Sequence, residues 1–405
     1  MEKFNKLIKL AVKERSSDIH LTGGHPIAYR KNGTIHLNSE LVWANREIDS
    51  LVRKLLNDTQ LMALRNRQSV DFAISVCNTR ARINVFNTTR GLSLAIRILP
   101  GVIPTIDKLN LHPSLHQISQ LESGLVLICG ATGVGKTTTI AAIIDEINSN
   151  RSAHIIMLEN PIEYRFQSKR CYIQQRELGT HMPSFEQGLL DVLREDPDII
   201  VVGELREPEA MRRTLNAAEA GHLVIASLHA TNAEEAIYRL LNSFSVESQE
   251  AIRFQIASTL SWLIVQNLVH LKNVESRVPL LSVCRGSSSV KSLIRDNKMH
   301  QLENAIQTGK DEGMLSASRY KEWLDSRKTF VSAAEVFVPS SEATKDIIYK
   351  SRIFDEAELV TAAAPAKKPI IIQGGGADDD EHFLTIDEEY SIQELVSELE
   401  KDGSR

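Results

Sequence analysis

At 405 residues the chain exceeds what a single hydrophobic core fills, about 250–300 residues, so two or more domains are expected. A hydrophobic content of 42% with 24% charged residues excludes disordered, collagen-like and membrane-embedded classes. The net charge of −5 is unevenly spread: residues 378–405 carry eleven acids against Lys401 and Arg405, so that tail is −9 and the remainder +4.

From the N-terminus, Phe4, Leu7, Ile8, Leu10 and Ala11 fit a short amphipathic helix with a basic opposite side. Asp18–Leu21 alternates as a strand, and Asn32-Gly33 between two apolar runs predicts a hairpin. A helix through Ile48, Leu51, Val52 and Leu55 follows, then strands at 69–76, 80–87 and 92–99, which together make residues 1–99 a small α+β domain. Residues 100–121, with Pro104 and Pro113, read as an interdomain connection. From 122 to 338 buried strands alternate with helices, which argues for a parallel sheet covered on both faces. Residues 247–270 read as helical, with Ile264–Val269 as a buried core segment. Residues 339–377 resemble a flexible linker, and 378–405 an acidic tail with Ile392, Leu395, Val396 and Leu399 on one helical face. That tail suits docking onto a basic partner or surface, or else is a solvated end.

The chemistry starts at Gly130-Ala131-Thr132-Gly133-Val134-Gly135-Lys136-Thr137. An apolar run at 125–129 precedes it, and Thr138 and a helical pattern follow. Glycines let backbone N–H groups wrap a di- or triphosphate at a helix N-terminus. Lys136 would neutralise the β/γ-phosphates of ATP, and the Thr137 hydroxyl would ligate Mg²⁺. Hydrolysis also needs acids near the metal and water. Two strand ends offer them: Glu159-Asn160-Pro161-Ile162-Glu163-Tyr164, and Ile199–Val202 running into Gly203-Glu204-Leu205-Arg206. Each could instead be solvated at a strand end. His222 and His229 bracket another buried strand, where the plain reading is a packed or surface histidine.

Cys77, Cys129, Cys171 and Cys284 are far apart and form no C-x-x-C, which argues against a disulfide framework or cysteine zinc site. The first five residues lack a signal-peptide core, and no stretch reaches the ~18 apolar residues of a membrane span, so a cytoplasmic location is expected.

With these residues in hand, the chain resembles the secretion ATPase superfamily of type II secretion and type IV pili, and within it the pilus retraction motors. Gly130–Thr137, Glu159–Tyr164, Leu193–Glu204 and Gly221–Thr231 look like its Walker A, Asp, Walker B and His boxes, and the likeness extends over about residues 1–330. The resemblance implies a PAS-like N-terminal domain, a RecA-like ATPase core with a helical C-terminal region, and a homohexameric ring. It implies that Glu163 acts on the attacking water, that Glu204 holds Mg²⁺ through water, and that His229 senses the γ-phosphate. Arg82 and Arg97 match the family's arginine fingers best, although structural arginines on strands are the plain alternative. The expected partners are an inner-membrane pilus platform protein and a second pilus ATPase, the expected place the cytoplasmic side of the pilus base. Asn160 stands where the family has an Asp.

Pilus assembly and type II export motors are the nearest rivals; they usually carry a tetracysteine insertion and a longer N-terminal region. A nucleic-acid translocase is a different class, but the chain offers no evident phosphate-tracking stripe for DNA or RNA, with 5% aromatic residues and a core charge of +4. A nucleotide-bound scaffold that does not turn over is the third alternative.

Overall fold

The computed structural model describes residues 1–337 apart from 15, 32–33, 78, 100 and 272–276. The expected Asn32-Gly33 turn and the linker and acidic tail beyond residue 338 lie outside the described residues. Among the described residues no helix is long and apolar enough to cross a membrane.

The N-terminal part begins with α1 (Glu2–Lys13), which buries Phe4, Leu7, Ile8 and Ala11 but leaves Leu10 exposed. Strands β1 (Asp18–Thr22), β2 (Pro26–Lys31) and β3 (Thr34–Val42) follow, then α2 (Asn45–Leu55) and α3 (Asp58–Arg67). The sequence reading did not anticipate α3; its start is fixed by Asn57, whose side chain accepts from Gln60 N at 2.9 Å. Strands β4 (Ser69–Val76), β5 (Thr79–Thr88) and β6 (Gly91–Ile98) complete an antiparallel sheet of order β3-β2-β1-β6-β5-β4. Phe4, Ile8, Ile48, Ile83, Val85 and Ile96 meet between the helices and one face of this sheet.

Within the stretch expected to connect the domains, residues 113–120 form a 3-10 helix. Leu115 and Ile118 on it, with Ile106 and Leu111 before it, are buried in the core of the second part.

That second part has β7 (Gly124–Cys129), α4 (Lys136–Asn150), β8 (His154–Glu159), β9 (Tyr172–Glu177), α5 (Phe185–Val192), β10 (Ile199–Val202), α6 (Pro208–Glu219), β11 (Leu223–Leu228), α7 (Ala233–Asn242) and α8 (Val246–Thr259). β12 (Leu260–His270) and β13 (Arg277–Arg285) come next, then α9 (Ser288–Arg295), α10 (Leu302–Thr308) and α11 (Ala317–Ser326). The sheet order is β13-β12-β7-β11-β10-β8-β9, with all neighbours parallel except β12 and β13.

This is the parallel sheet covered on both faces that the alternating pattern predicts, and β7 explains why. Its side chains alternate between two cores: Val126 and Ile128 pack with Ile140, Ile143, Ile144 and Ile147 of α4. Leu125, Leu127 and Cys129 pack with residues of α5, α6, α7 and α8. Burying each such aliphatic side chain contributes roughly 1.5–3 kcal/mol.

One expectation is corrected. Residues 260–270 are a strand, not the end of a long helix. A continuous buried run with β-branched Ile264 and Val265 satisfies either element by periodicity. Tertiary pairing decides it: Leu263 and Ile264 lie in register with Leu127 and Ile128, and β13 covers the other edge.

Candidate nucleotide and catalytic site

The phosphate loop leaves the end of β7 and is built on left-handed glycines. Gly130, Gly133 and Gly135 have φ of 147°, 81° and 90°. A Cβ on Gly130 would stand 2.4 Å from the backbone oxygen of Gln266, so only glycine fits there. Ala131, Thr132 and Gly133 are exposed at the loop tip, whereas Val134, Gly135, Thr137 and Thr138 are half-buried.

Lys136 opens α4 and is buried. Its Nζ donates to Gly130 O at 2.8 Å and Ala131 O at 3.0 Å, which holds the ammonium across the mouth of the loop. Burial lowers its pKa, and the negative charge of Glu204 works in the opposite direction.

Gln266, from the strand misread as helix, holds the loop from below. Its Nε2 donates to Val134 O at 2.7 Å, while its Oε1 accepts from Thr139 Oγ1 at 2.8 Å. It is buried, so both bonds are shielded from water. The sequence reading missed it because a strand was needed to aim it at the loop.

Two strand tips bring carboxylates to the carboxyl edge of the sheet. Glu204 follows β10; Arg206 Nη2 lies 2.6 Å from its Oε2 and His229 Nε2 lies 2.7 Å from its Oε1. Among the described residues Glu204 Oε1 is buried and accepts no hydrogen bond. Glu159 ends β8 and is buried, accepting from Gln175 Nε2 at 2.8 Å. Burial raises its carboxyl to about 7, with the charge of Glu163 adding to the effect. Glu163 is half-buried on the following loop. That loop is tied to α4 by Tyr164, whose hydroxyl is 3.0 Å from Thr138 Oγ1.

His222 is not part of this constellation. It precedes β11 and its Nδ1 contacts Pro197 O at 2.9 Å, whereas His229 follows β11, roughly 20 Å further along the strand.

Arg82 and Arg97 are cross-strand neighbours on β5 and β6. Arg82 pairs with Asp71 at 2.5 Å, which holds its guanidinium charged more firmly, and the fields of Glu163 and Glu204 reinforce this. Arg97 is exposed and pairs with Asp18 at 2.9 Å. Arg82 is therefore electrically coupled to Glu163 and Glu204 within this chain.

A glycine-walled loop between a central parallel strand and a helix, with a buried lysine and carboxylates at the adjacent strand tips, defines the P-loop nucleotide-binding class. Within that class the chain belongs to the Type II/IV secretion system protein family, which matches residues 1–337. It is 40% identical over 312 residues to the uncharacterized protein YggR of Escherichia coli strain K12, covering 77% of this chain and 94% of that protein. It is 35% identical over 310 residues to the type IV pilus retractation ATPase PilT of Pseudomonas aeruginosa, covering 76% and 90%. A crystal structure of the pilus retraction motor PilT with bound ADP superposes with a TM-score of 0.70 at 32% identity, covering 84% of this chain and 98% of that one.

Proposed function

We propose that the chain is an ATP-hydrolysing motor subunit that works as a hexamer and powers type IV pilus retraction through a membrane platform protein on the cytoplasmic side. The observation that carries the hydrolytic part is Glu204, set between Arg206 and His229 and close enough to Lys136 to be felt by its charge. Glu163 is the candidate for acting on the attacking water, and Arg82 couples to it electrostatically.

The residues fit Mg²⁺ bound with the nucleotide. Thr137 follows the loop lysine, and the buried Glu204 Oε1 accepts no hydrogen bond among the described residues, which suits an oxygen that accepts from metal-bound water. When bound, Mg²⁺ neutralises charge on the phosphates. Asn160 leaves Glu159, Glu163 and Glu204 as the acids of the site.

Retraction is preferred to assembly or export on the likeness to PilT over most of both chains. Purified protein compared with Lys136→Ala and Glu204→Ala tests the enzyme: hydrolysis no faster than in those variants would leave a nucleotide-bound scaffold. A deletion strain tests the load, where abundant immobile surface pili are expected. Scarcer pili would instead point to an assembly motor.

A further inference from the structure

Arg80 was not among the candidate arginines, yet it makes a direct side-chain bridge from the N-terminal sheet to the loop that carries Glu163. It lies two residues before Arg82 on β5, so both side chains leave the same face of that strand. Arg80 Nε donates to Ile162 O at 3.1 Å, and Nη2 reaches Glu177 Oε2 at 2.8 Å. The same Glu177 oxygen accepts from Ile162 N at 3.0 Å. Ile162 is thus held at both its backbone polar groups, one by Arg80 and one by Arg80's own partner. The side chains of Arg80 and Glu177 are each only 10% exposed, so the pair is enclosed and weakly screened.

On the other side of Glu163, Tyr164 is bonded to Thr138 of the phosphate-loop helix. Glu163 therefore sits between two anchors, one from α4 and one from the N-terminal domain.

We infer that Arg80 is a positioning residue that, with Glu177, fixes the Glu163 loop through Ile162 and makes its geometry depend on the N-terminal domain. This rests on the ATPase reading above. A rotation of the N-terminal sheet away from the core would take Arg80 with it and free the Ile162 carbonyl. Movement of that domain would then be converted into a change in the aim of Glu163, distinct from any charge that Arg82 delivers.

The test uses the full chain with Arg80→Gln, Arg80→Lys and the double variant Arg80→Gln/Glu177→Gln, which leaves no unpaired buried charge. For Arg80→Gln the expected result is a kcat lower by roughly tenfold to a hundredfold, with the KM for ATP and the affinity for ADP within about twofold. Arg80→Lys recovers part of the loss, and the double variant does not. Hydrogen exchange of the amides of residues 162–166, measured without nucleotide, is expected to speed up in Arg80→Gln and in the double variant.

A raised KM with unchanged kcat would make Arg80 a nucleotide contact and overturn the inference. Recovery in the double variant would reduce Arg80 to a counter-charge for Glu177 and also overturn it, as would unchanged kcat and exchange. If the unaltered protein hydrolyses no ATP, the proposed function fails by itself, and the exchange measurement still decides whether Arg80 holds the loop.

Discussion

Gln266 and Thr139 stand 127 positions apart and meet in a buried hydrogen bond of 2.8 Å. Because the other end of the Gln266 amide holds Val134 O, one side chain joins β12, the phosphate loop and α4. Loop curvature is thus set by a neighbouring strand as well as by its own glycines.

Replacing Gln266 with Leu keeps the volume but leaves the Thr139 hydroxyl and the Val134 carbonyl without partners. Each orphaned group costs about 1–3 kcal/mol, so a drop of roughly 2–6 kcal/mol in urea-unfolding stability is expected. A loop that must be ordered by its ligand also binds it less tightly, and titration with a fluorescent ADP analogue should show about tenfold weaker binding. Wild-type affinity would mean that the glycines suffice.

The sequence made some of this legible and hid the rest for physical reasons. Gly130–Thr137 and the strand runs at 125–129, 199–202 and 223–228 announce themselves, because a parallel strand buried on both faces reads as a short, near-continuous apolar run. Residues 260–270 present the same kind of run attached to a real helix, and only pairing with β7 and β13 resolves it. Gln266 and Glu177 were invisible because each acts across elements, at a partner unrelated to it in sequence. Arg80 left a trace, its i, i+2 spacing with Arg82 on a strand, which puts both on one face.

Gly130 and Gly133 both have left-handed backbones, but only Gly130 is crowded. Gly133→Ala should therefore cost only the backbone penalty, roughly 1–2 kcal/mol. Gly130→Ala adds a clash with the Gln266 carbonyl at 2.4 Å, and overpacking of that kind costs a further 1–3 kcal/mol or so. Thermal unfolding of the two variants side by side gives the ranking. Equal losses would mean that the β12 backbone yields.

Glu159 makes stability depend on pH. Its carboxyl is raised from 4.5 to about 7 in the folded chain, chiefly by burial. Between those values the folded state keeps a proton that the unfolded state has released, so stability falls as pH rises through that window. The contribution is fully present below about 4.5 and lost above about 7, with a size of at most roughly 3 kcal/mol. Glu159→Gln should remove this component, narrowing the difference between urea midpoints measured at pH 5.5 and pH 8. An unchanged pH slope would show that Glu159 ionises as freely as an exposed carboxylate.

The two histidines give the sharpest separation of site from scaffold. Both flank the same buried strand and look alike in sequence, but only His229 lies beside a carboxylate of the site, 2.7 Å from Glu204. His222 ties the start of β11 to Pro197 at the opposite end of the sheet. Removing a polar group that acts on charge developing at the phosphates costs about 10²-fold in kcat, and His229→Ala is expected to do so. His222→Ala should leave kcat within about threefold and instead lower stability by roughly 1 kcal/mol, the value of one hydrogen bond. Steady-state ATPase and urea unfolding on both variants check the pairing of effects. A kcat loss in His222→Ala as large as that in His229→Ala would mean that the far end of β11 is felt at the nucleotide, and the boundary of the site would have to be redrawn.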